Sequence, residues 1–421
     1  MLRSEAVGQR VKIRGWVYRL REHGGKVFVV VRDSTGVVQA VLDRRSSRVE
    51  GAEGLGIEAS VVVEGVVARD PRAPGGFEVR ADSLRVVGPS KGFPITKDYS
   101  EPFLLSVRHL WVRSRKMMNV LKVRSKVFGY IHEYFRSRGY YEVQGPMFIT
   151  AAVEGGATLF ELDYLDRGKV YLTQSSQFYL EALIFSLEKV YTIAPSFRAE
   201  KSRTRRHLTE FWHAEAEVAW AHLDDILRVE EELVSFVVDR VLSEAREELE
   251  ELKRDIRPLE EVKPPFPRLS YDEVVEILRG KGFNIKWGDD LGADEERALT
   301  LDFDRPIFVV GFPEEVKAFY HKNDPKRPEV TLSADMLAPE GYGEIIGGGE
   351  RIESERELVE KIKRFGLDPS DYEWYIDLRR YGSVPHSGFG LGVDRLVMWI
   401  CGLDHIVHAV PFPRTIRRLY P

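Results

Sequence analysis

Between Val11 and Val79 apolar and polar residues alternate in short runs. Residues 11–17, 27–33, 37–42, 59–65 and 77–79 follow the period of two expected of strands with one buried face. Gly24-Gly25, Ser34-Thr35-Gly36 and Pro74-Gly75-Gly76 separate them as turns. Five short strands packed so closely suit a small closed barrel, and the oligonucleotide-binding (OB) barrel is the commonest such solution. The pattern alone leaves any small β-domain open. Gly88-Pro89-Ser90-Lys91-Gly92-Phe93-Pro94 has the composition of a linker. After it the period changes: Met117, Val120, Leu121, Val127, Ile131 and Phe135 predict helix within 107–138. Alternation returns at 190–194 and 215–218 on either side of a polar middle, which predicts a long hairpin with an exposed loop. Residues 222–255 read as charged amphipathic helix and 256–305 as mixed segments around Pro264-Pro265. Both are expected to be peripheral insertions without chemistry, before strand-like sequence resumes at 306–320. The fold class is α+β.

At 421 residues the chain implies two or three domains. The formal charge of −5 gives no hint of nucleic acid, but its distribution does. Residues 1–89 carry 15 Lys and Arg against 11 Asp and Glu, leaving −9 for the remainder, as for a nucleic-acid-gripping module on an acidic enzyme. The lone Cys401 excludes an internal disulfide and a cysteine-built metal site, and its apolar neighbours mark it as core. No signal peptide opens the chain and no uncharged run approaches membrane length, so a soluble cytoplasmic protein without membrane partners is expected. Three Asn and five Gln against 31% charged residues is the composition of a hot-living source.

Two stretches carry chemistry. In 196–217, arginines, a lysine and two histidines crowd against glutamates. Arg198 at a strand end, with Arg205, Arg206 and His207 in the loop, suits a polyphosphate because guanidinium grips phosphate oxygens in pairs. A merely solvated hairpin would leave Phe211 and Trp212 beside the charges unexplained. In 335–351, Asp335 and Glu344 each lie among apolar strand residues. Two hard carboxylates on one wall suit Mg²⁺; strand-edge carboxylates in water are the competing reading. Gly347, Gly348 and Gly349 would let a substrate approach the backbone. Gly155-Gly156 makes a mobile turn, either a flap over a pocket or a plain surface loop.

Phe197-Arg198-Ala199-Glu200, a basic loop, then Arg206-His207-Leu208-Thr209-Glu210-Phe211 resembles the second signature motif of class II aminoacyl-tRNA synthetases, in the aspartyl, asparaginyl and lysyl subgroup. Gly139-Tyr140-Tyr141-Glu142-Val143-Gln144-Gly145-Pro146-Met147 resembles the first, and Gly388-Phe389-Gly390-Leu391-Gly392-Val393-Asp394-Arg395-Leu396 the third. Three motifs in order are far more specific than one. The resemblance implies an OB-fold anticodon-binding domain over 1–89, a linker over 90–106, and a class II catalytic domain over 107–421, an antiparallel sheet flanked by helices with insertions around 222–305. It implies ATP held by Arg198, Glu200, His207, Phe211, Glu344 and Arg395, with Arg198 and Arg395 catalytic. Mg²⁺ falls to Asp335 and Glu344, with Gly347 where some relatives carry a serine ligand. The amino acid falls to Glu154, Gln177, Glu215 and Arg351, the anticodon to Phe28, Gln39 and Glu78. Pro146 falls at the interface of a homodimer.

The chemistry so implied is two-step: activation of an amino acid to its adenylate, then transfer to the 3′ end of tRNA. Glu215-Ala216-Glu217 and the 201–212 loop resemble the asparaginyl members, implying L-asparagine and tRNA(Asn). Arg351 would donate to the side-chain carbonyl, and a carboxylate would accept from the NH₂: Glu215 is the one expected, with its neighbour Glu217 not excluded. An aspartyl enzyme and an amide-forming ligase on the same catalytic fold are the alternatives. A nucleic-acid-binding protein with a dead catalytic domain conflicts with the intact motif residues.

Overall fold

The computed structural model describes residues 4–96, 99–154, 158–201 and 204–421. The chain forms two compact units, 1–111 and 112–421. The expected Gly155-Gly156 turn, and Ser202 and Arg203 of the basic loop, lie outside the described residues.

In the first unit the alternating runs form β1 (Arg10–His23), β2 (Lys26–Arg32), β3 (Val37–Asp43), β4 (Arg48–Glu50), β5 (Ser60–Arg69) and β6 (Phe77–Gly88). β3-β2-β1-β5-β6 pair in that order and β3 closes onto β6, the one parallel contact in the ring. Closure removes free edges. The inward positions Val17, Val29, Val31, Ala40, Leu42, Val61, Val63, Val79 and Leu84 fill the barrel. Gly15 is required where β1 crosses β2, because a Cβ there would sit 2.3 Å from the Arg32 carbonyl oxygen. Two short helices follow, α1 (Glu101–Ser106) and α2 (Arg108–Trp111).

The second unit opens with α3 (Arg115–Ser137), started by the Ser114 hydroxyl accepting from the Met117 N–H at 3.3 Å. Then come β7 (Tyr141–Glu142), β8 (Phe148–Ile149), β9 (Glu161–Asp163), β10 (Lys169–Leu172), α4 (Gln177–Leu187), β11 (Lys189–Phe197) and β12 (Glu210–Ala219). Next are α5 (Leu223–Glu244), α6 (Arg246–Glu251), α7 (Arg257–Glu260), β13 (Arg268–Ser270), α8 (Tyr271–Gly280), α9 (Ala293–Thr300) and β14 (Ile307–Val310). The chain ends with β15 (Asn323–Asp324), β16 (Arg327–Thr331), β17 (Ser333–Ala338), β18 (Gly343–Glu350), α10 (Glu355–Arg364), α11 (Glu373–Arg380), β19 (His386–Gly392) and α12 (Val393–Ile400). Eight strands order as β13-β14-β17-β18-β19-β12-β11-β7, antiparallel through the middle and parallel only at the two outer pairs.

Two expectations change here. The 222–255 stretch is helical as predicted, but α5 is not peripheral. Its Ile226, Leu233, Val234, Val237 and Val241 are buried, and it packs on α3, β18 and β19. Charge on its outer face disguised an apolar stripe. The 256–305 segment is likewise structured: β13 extends the main sheet, and Tyr271, Val274, Leu278 and Leu299 join Ile307, Val309 and Leu337 in one apolar cluster. The motif around Pro146 supplies only the two-residue β7, and Pro146 lies exposed beyond it. Cys401 is buried, as expected. Among the described residues no helix is long and apolar enough to cross a membrane.

Candidate active site

The β11–β12 hairpin forms in register from Lys189↔Val218 to Phe197↔Glu210. Of its described loop residues Lys201 and Arg205 are exposed as expected, but Arg206, His207, Leu208 and Thr209 are drawn in. The Arg206 guanidinium donates to Glu296 and, at 3.0 Å, to the Tyr342 carbonyl, while the Arg205 carbonyl accepts from the Ile406 N–H. A polar loop with no apolar face of its own is thus held by long-range polar partners. It roofs one end of a cavity of about 550 Å³ over the middle of the sheet.

Eleven residues expected in the ATP, metal and amino-acid sites line this one cavity: Glu154, Gln177, Arg198, Glu200, His207, Phe211, Glu215, Asp335, Glu344, Arg351 and Arg395. They come from segments as far apart as 154 and 395, gathered because β12, β19, β18 and β17 are neighbours. The glycines of β19 make room for them. A Cβ at Gly388 would fall 2.1 Å from a Glu217 carboxylate oxygen, and one at Gly390 2.3 Å from His213 Nε2. The side chains of β12 therefore lie across β19 where it has none.

At one end the guanidiniums gather. Arg198 lies 5.4 Å from the Phe211 ring centroid, and among the described residues its buried Nε has no hydrogen-bond partner. Arg395 donates to the Glu344 carboxylate at 2.8 Å and stands 3.4 Å from His207 Nε2. Burial, with Arg395 and Arg206 alongside, lowers His207 to about 4, so its imidazole is neutral at pH 7. Glu200 lies 3.7 Å from His207.

Along the wall Asp335 and Glu344 converge. A Cβ at Gly347 would lie 3.3 Å from Glu344 Oε1 and 3.4 Å from Asp335 Oδ1. Burial raises Asp335 to about 7 despite Lys317, whose ammonium donates to both its oxygens at 2.6 and 2.7 Å. Burial acts on Glu344 too, but Arg395, Lys317 and Arg206 outweigh it and lower it to about 2. Among the described residues no group of three His, Cys, Asp or Glu side chains is arranged for a metal. Two convergent carboxylates nonetheless fit Mg²⁺, which takes few protein oxygens and keeps phosphate and water as the rest.

At the other end Arg351 and Glu217, whose side chains are 3% and 1% exposed, form a buried ion pair at 2.6 Å. Glu215 is engaged elsewhere: one oxygen takes the Ser175 hydroxyl and the other the Ser176 N–H at 2.8 Å. The carboxylate beside Arg351 is therefore Glu217 and not the expected Glu215, which is held instead by Ser175 and Ser176. Above them the Tyr320 hydroxyl donates to Glu154 at 2.8 Å. Lys317, Tyr320 and Glu296 also line the cavity and were missed, since they come from segments with no local pattern marking them. Arg206, expected in a phosphate-suited loop, lines the cavity with its guanidinium on Glu296 and Tyr342, and His213 of the same hairpin lines it without having been marked.

Phe28, Gln39 and Glu78 lie together on the barrel. Gln39 Nε2 donates to Glu78 at 3.2 Å, and Arg21 covers the Phe28 ring at 4.6 Å while reaching Gln39 at 3.3 Å. An aromatic face, an amide and a carboxylate side by side are what base stacking and edge reading require.

A family description, tRNA synthetases class II (D, K and N), matches residues 100–416, and another, OB-fold nucleic acid binding domain, matches residues 11–87. The chain is 56% identical over 422 residues to the asparagine–tRNA ligase of Thermococcus gammatolerans, covering 100% of this chain and 98% of that one. Its fold is similar to the asparaginyl-tRNA synthetase from Pyrococcus horikoshii complexed with asparaginyl-adenylate, with a TM-score of 0.95 and 54% identity over 99% of this chain and 97% of that one. The asparaginyl-tRNA synthetase of Entamoeba histolytica, also in complex with asparaginyl-adenylate, gives a TM-score of 0.90 at 34% identity over 100% and 99% of the two chains.

Proposed function

The chain belongs to the class II tRNA synthetases of the D, K and N type, and from that membership we propose that it activates L-asparagine with ATP and joins it to tRNA(Asn). The observation that carries the amino-acid assignment is the buried Arg351–Glu217 pair in the cavity wall. Arg351 donates to the side-chain carbonyl of asparagine and Glu217 accepts from its NH₂. Aspartate would set its carboxylate against Glu217, a repulsive element of the kind specificity needs. Gln177 and Glu154 take the ammonium group.

In the first step the asparagine carboxylate attacks the α-phosphorus of ATP, the bond to the β-phosphate oxygen breaks, and pyrophosphate leaves. No covalent enzyme nucleophile is required. Arg198 lies on the α-phosphate, its buried Nε a donor without a partner among the described residues. Arg395 and His207 take the terminal phosphates, Phe211 stacks on adenine and Glu200 reads its edge. Asp335 and Glu344 would hold Mg²⁺, which would supply charge neutralisation on the phosphates. Positioning and fixed charge provide the rate. In the second step the terminal ribose hydroxyl of the tRNA attacks the acyl carbon and AMP leaves.

Phe28, Gln39 and Glu78 read the anticodon. The match of residues 11–87 to a nucleic-acid-binding barrel supports this and disfavours an amide-forming ligase, which has no anticodon to read. The protein works in the cytoplasm as a homodimer. In support, β7 is an edge strand, and Tyr141 within it and Phe148 of β8 are 57% and 52% exposed. The deciding experiment is ATP–pyrophosphate exchange across all amino acids. Asparagine alone should drive it, and equal exchange with aspartate would overturn the assignment.

A further inference from the structure

Beneath the amino-acid end of the cavity lies a polar cluster that the mechanism above does not use. Glu181 on α4, Arg379 on α11 and His386 at the start of β19 have side chains with no exposure at all. The Glu181 carboxylate receives Arg379, His386 Nε2 at 2.9 Å, and the Tyr375 hydroxyl at 2.8 and 2.9 Å. Its remaining donor is Gln177 Nε2 at 3.0 Å, one helical turn back along α4. Burial alone would raise Glu181, but the Arg379 charge and the His386 hydrogen bond outweigh it and keep it ionised.

A buried ion pair is poor evidence of a stability role, since apolar packing of the same volume serves as well. An ionised carboxylate has another property: it only accepts hydrogen bonds. The group that Gln177 turns toward Glu181 must then be its NH₂. The carbonyl oxygen is left as what Gln177 offers to the cavity it lines. An ammonium group only donates, so a carbonyl oxygen is complementary to it and an NH₂ is not.

We propose that Glu181 is a positioning residue that locks the Gln177 side-chain amide with its carbonyl toward the substrate ammonium group. This rests on the reading that Gln177 meets that group. Arg379, Tyr375 and His386 hold Glu181 in turn, so the orientation is set before substrate arrives. In Glu181→Gln the single remaining oxygen is claimed by Arg379 and His386, and the Gln177 amide loses its fixed acceptor.

The test compares binding of L-asparagine with that of succinamate, in which hydrogen replaces the ammonium group. Wild-type protein should prefer asparagine. In Glu181→Gln the asparagine dissociation constant should rise about tenfold or more, the size of one charged hydrogen bond. Succinamate affinity and the KM for ATP should stay within about twofold, because neither ligand uses the Gln177 carbonyl. Equal weakening of both amino-acid ligands would mean a purely structural role, and unchanged asparagine affinity would mean none; either overturns the proposal. A wild-type protein that binds succinamate as well as asparagine would overturn the ammonium reading itself. A second measurement needs no variant. With ¹⁵N-glutamine labelling, the Gln177 side-chain NH₂ protons should exchange slowly with solvent, and fast exchange would overturn the lock.

Discussion

Glu215 and Glu217 are two residues apart on one strand and both are buried, yet their partners give them different work. Glu215 is consumed by the turn before α4, through Ser175 and Ser176, whereas Glu217 stands against Arg351 in the cavity wall. Glu217→Gln should therefore lower exchange with asparagine at least about tenfold and narrow its margin over aspartate, since one buried charge is left unpaired. Glu215→Gln should lower activity without narrowing the margin. Steady-state exchange with both amino acids distinguishes them. His207 makes a pH prediction. Its folded value near 4 lies below the ordinary 6.5, so the neutral form favours folding. That stability is fully present above pH 6.5 and is lost as pH falls toward 4, at most about 3 kcal/mol for this shift. Denaturant titrations at pH 7 and 4.5 should show a smaller acid loss in His207→Gln than in wild type.

Elements in this fold approach one another through missing side chains. β18 passes β19 and α5 so closely that a Cβ at Gly348 would lie 2.6 Å from Phe389 Cβ and 3.0 Å from a Glu230 carboxylate oxygen. Glu230 is fully buried, both its oxygens lack partners among the described residues, and burial with Asp335 nearby raises it well above the carboxylate range. Gly348 is thus needed for packing on the helix side, and Gly347 alone faces the carboxylate wall. Gly348→Ala should destabilise by about 1–3 kcal/mol, the usual result of overpacking a filled core. Differential scanning calorimetry would read this as a lower melting temperature.

At the scale of the molecule, the barrel and the catalytic unit are separate compact bodies with separate tasks. Phe28→Ala should weaken tRNA charging by the loss of a base stack, about 1–3 kcal/mol, and leave ATP–pyrophosphate exchange intact. Equal damage to both assays would make Phe28 a packing residue. Sedimentation at working concentration should give twice the chain mass, because self-pairing elements usually close into two-fold dimers. Tyr141→Asp together with Phe148→Asp should shift the protein toward monomer, and an active wild-type monomer would refute the dimer.

The sequence by itself determined the barrel, α3 and the β11–β12 hairpin, because local periodicity decides whether a segment can bury one face. It also marked eleven cavity residues, five of them (Arg198, Glu200, His207, Phe211 and Arg395) inside the second and third motifs, where charge, glycine and aromatic residues stand at fixed local spacing. Only the tertiary structure decided which carboxylate meets Arg351, because Glu215 and Glu217 have the same chemistry and point to the same face of β12. It alone drew α5 into the core, where a charged outer face had hidden the buried stripe. It alone brought Glu296, Lys317 and Tyr320 to the cavity, and with them the partners that fold the basic loop inward. The contacts Arg206–Glu296, Arg351–Glu217 and Tyr320–Glu154 join residues 90, 134 and 166 positions apart in the chain. No local pattern carries them; they exist once eight strands have found their order.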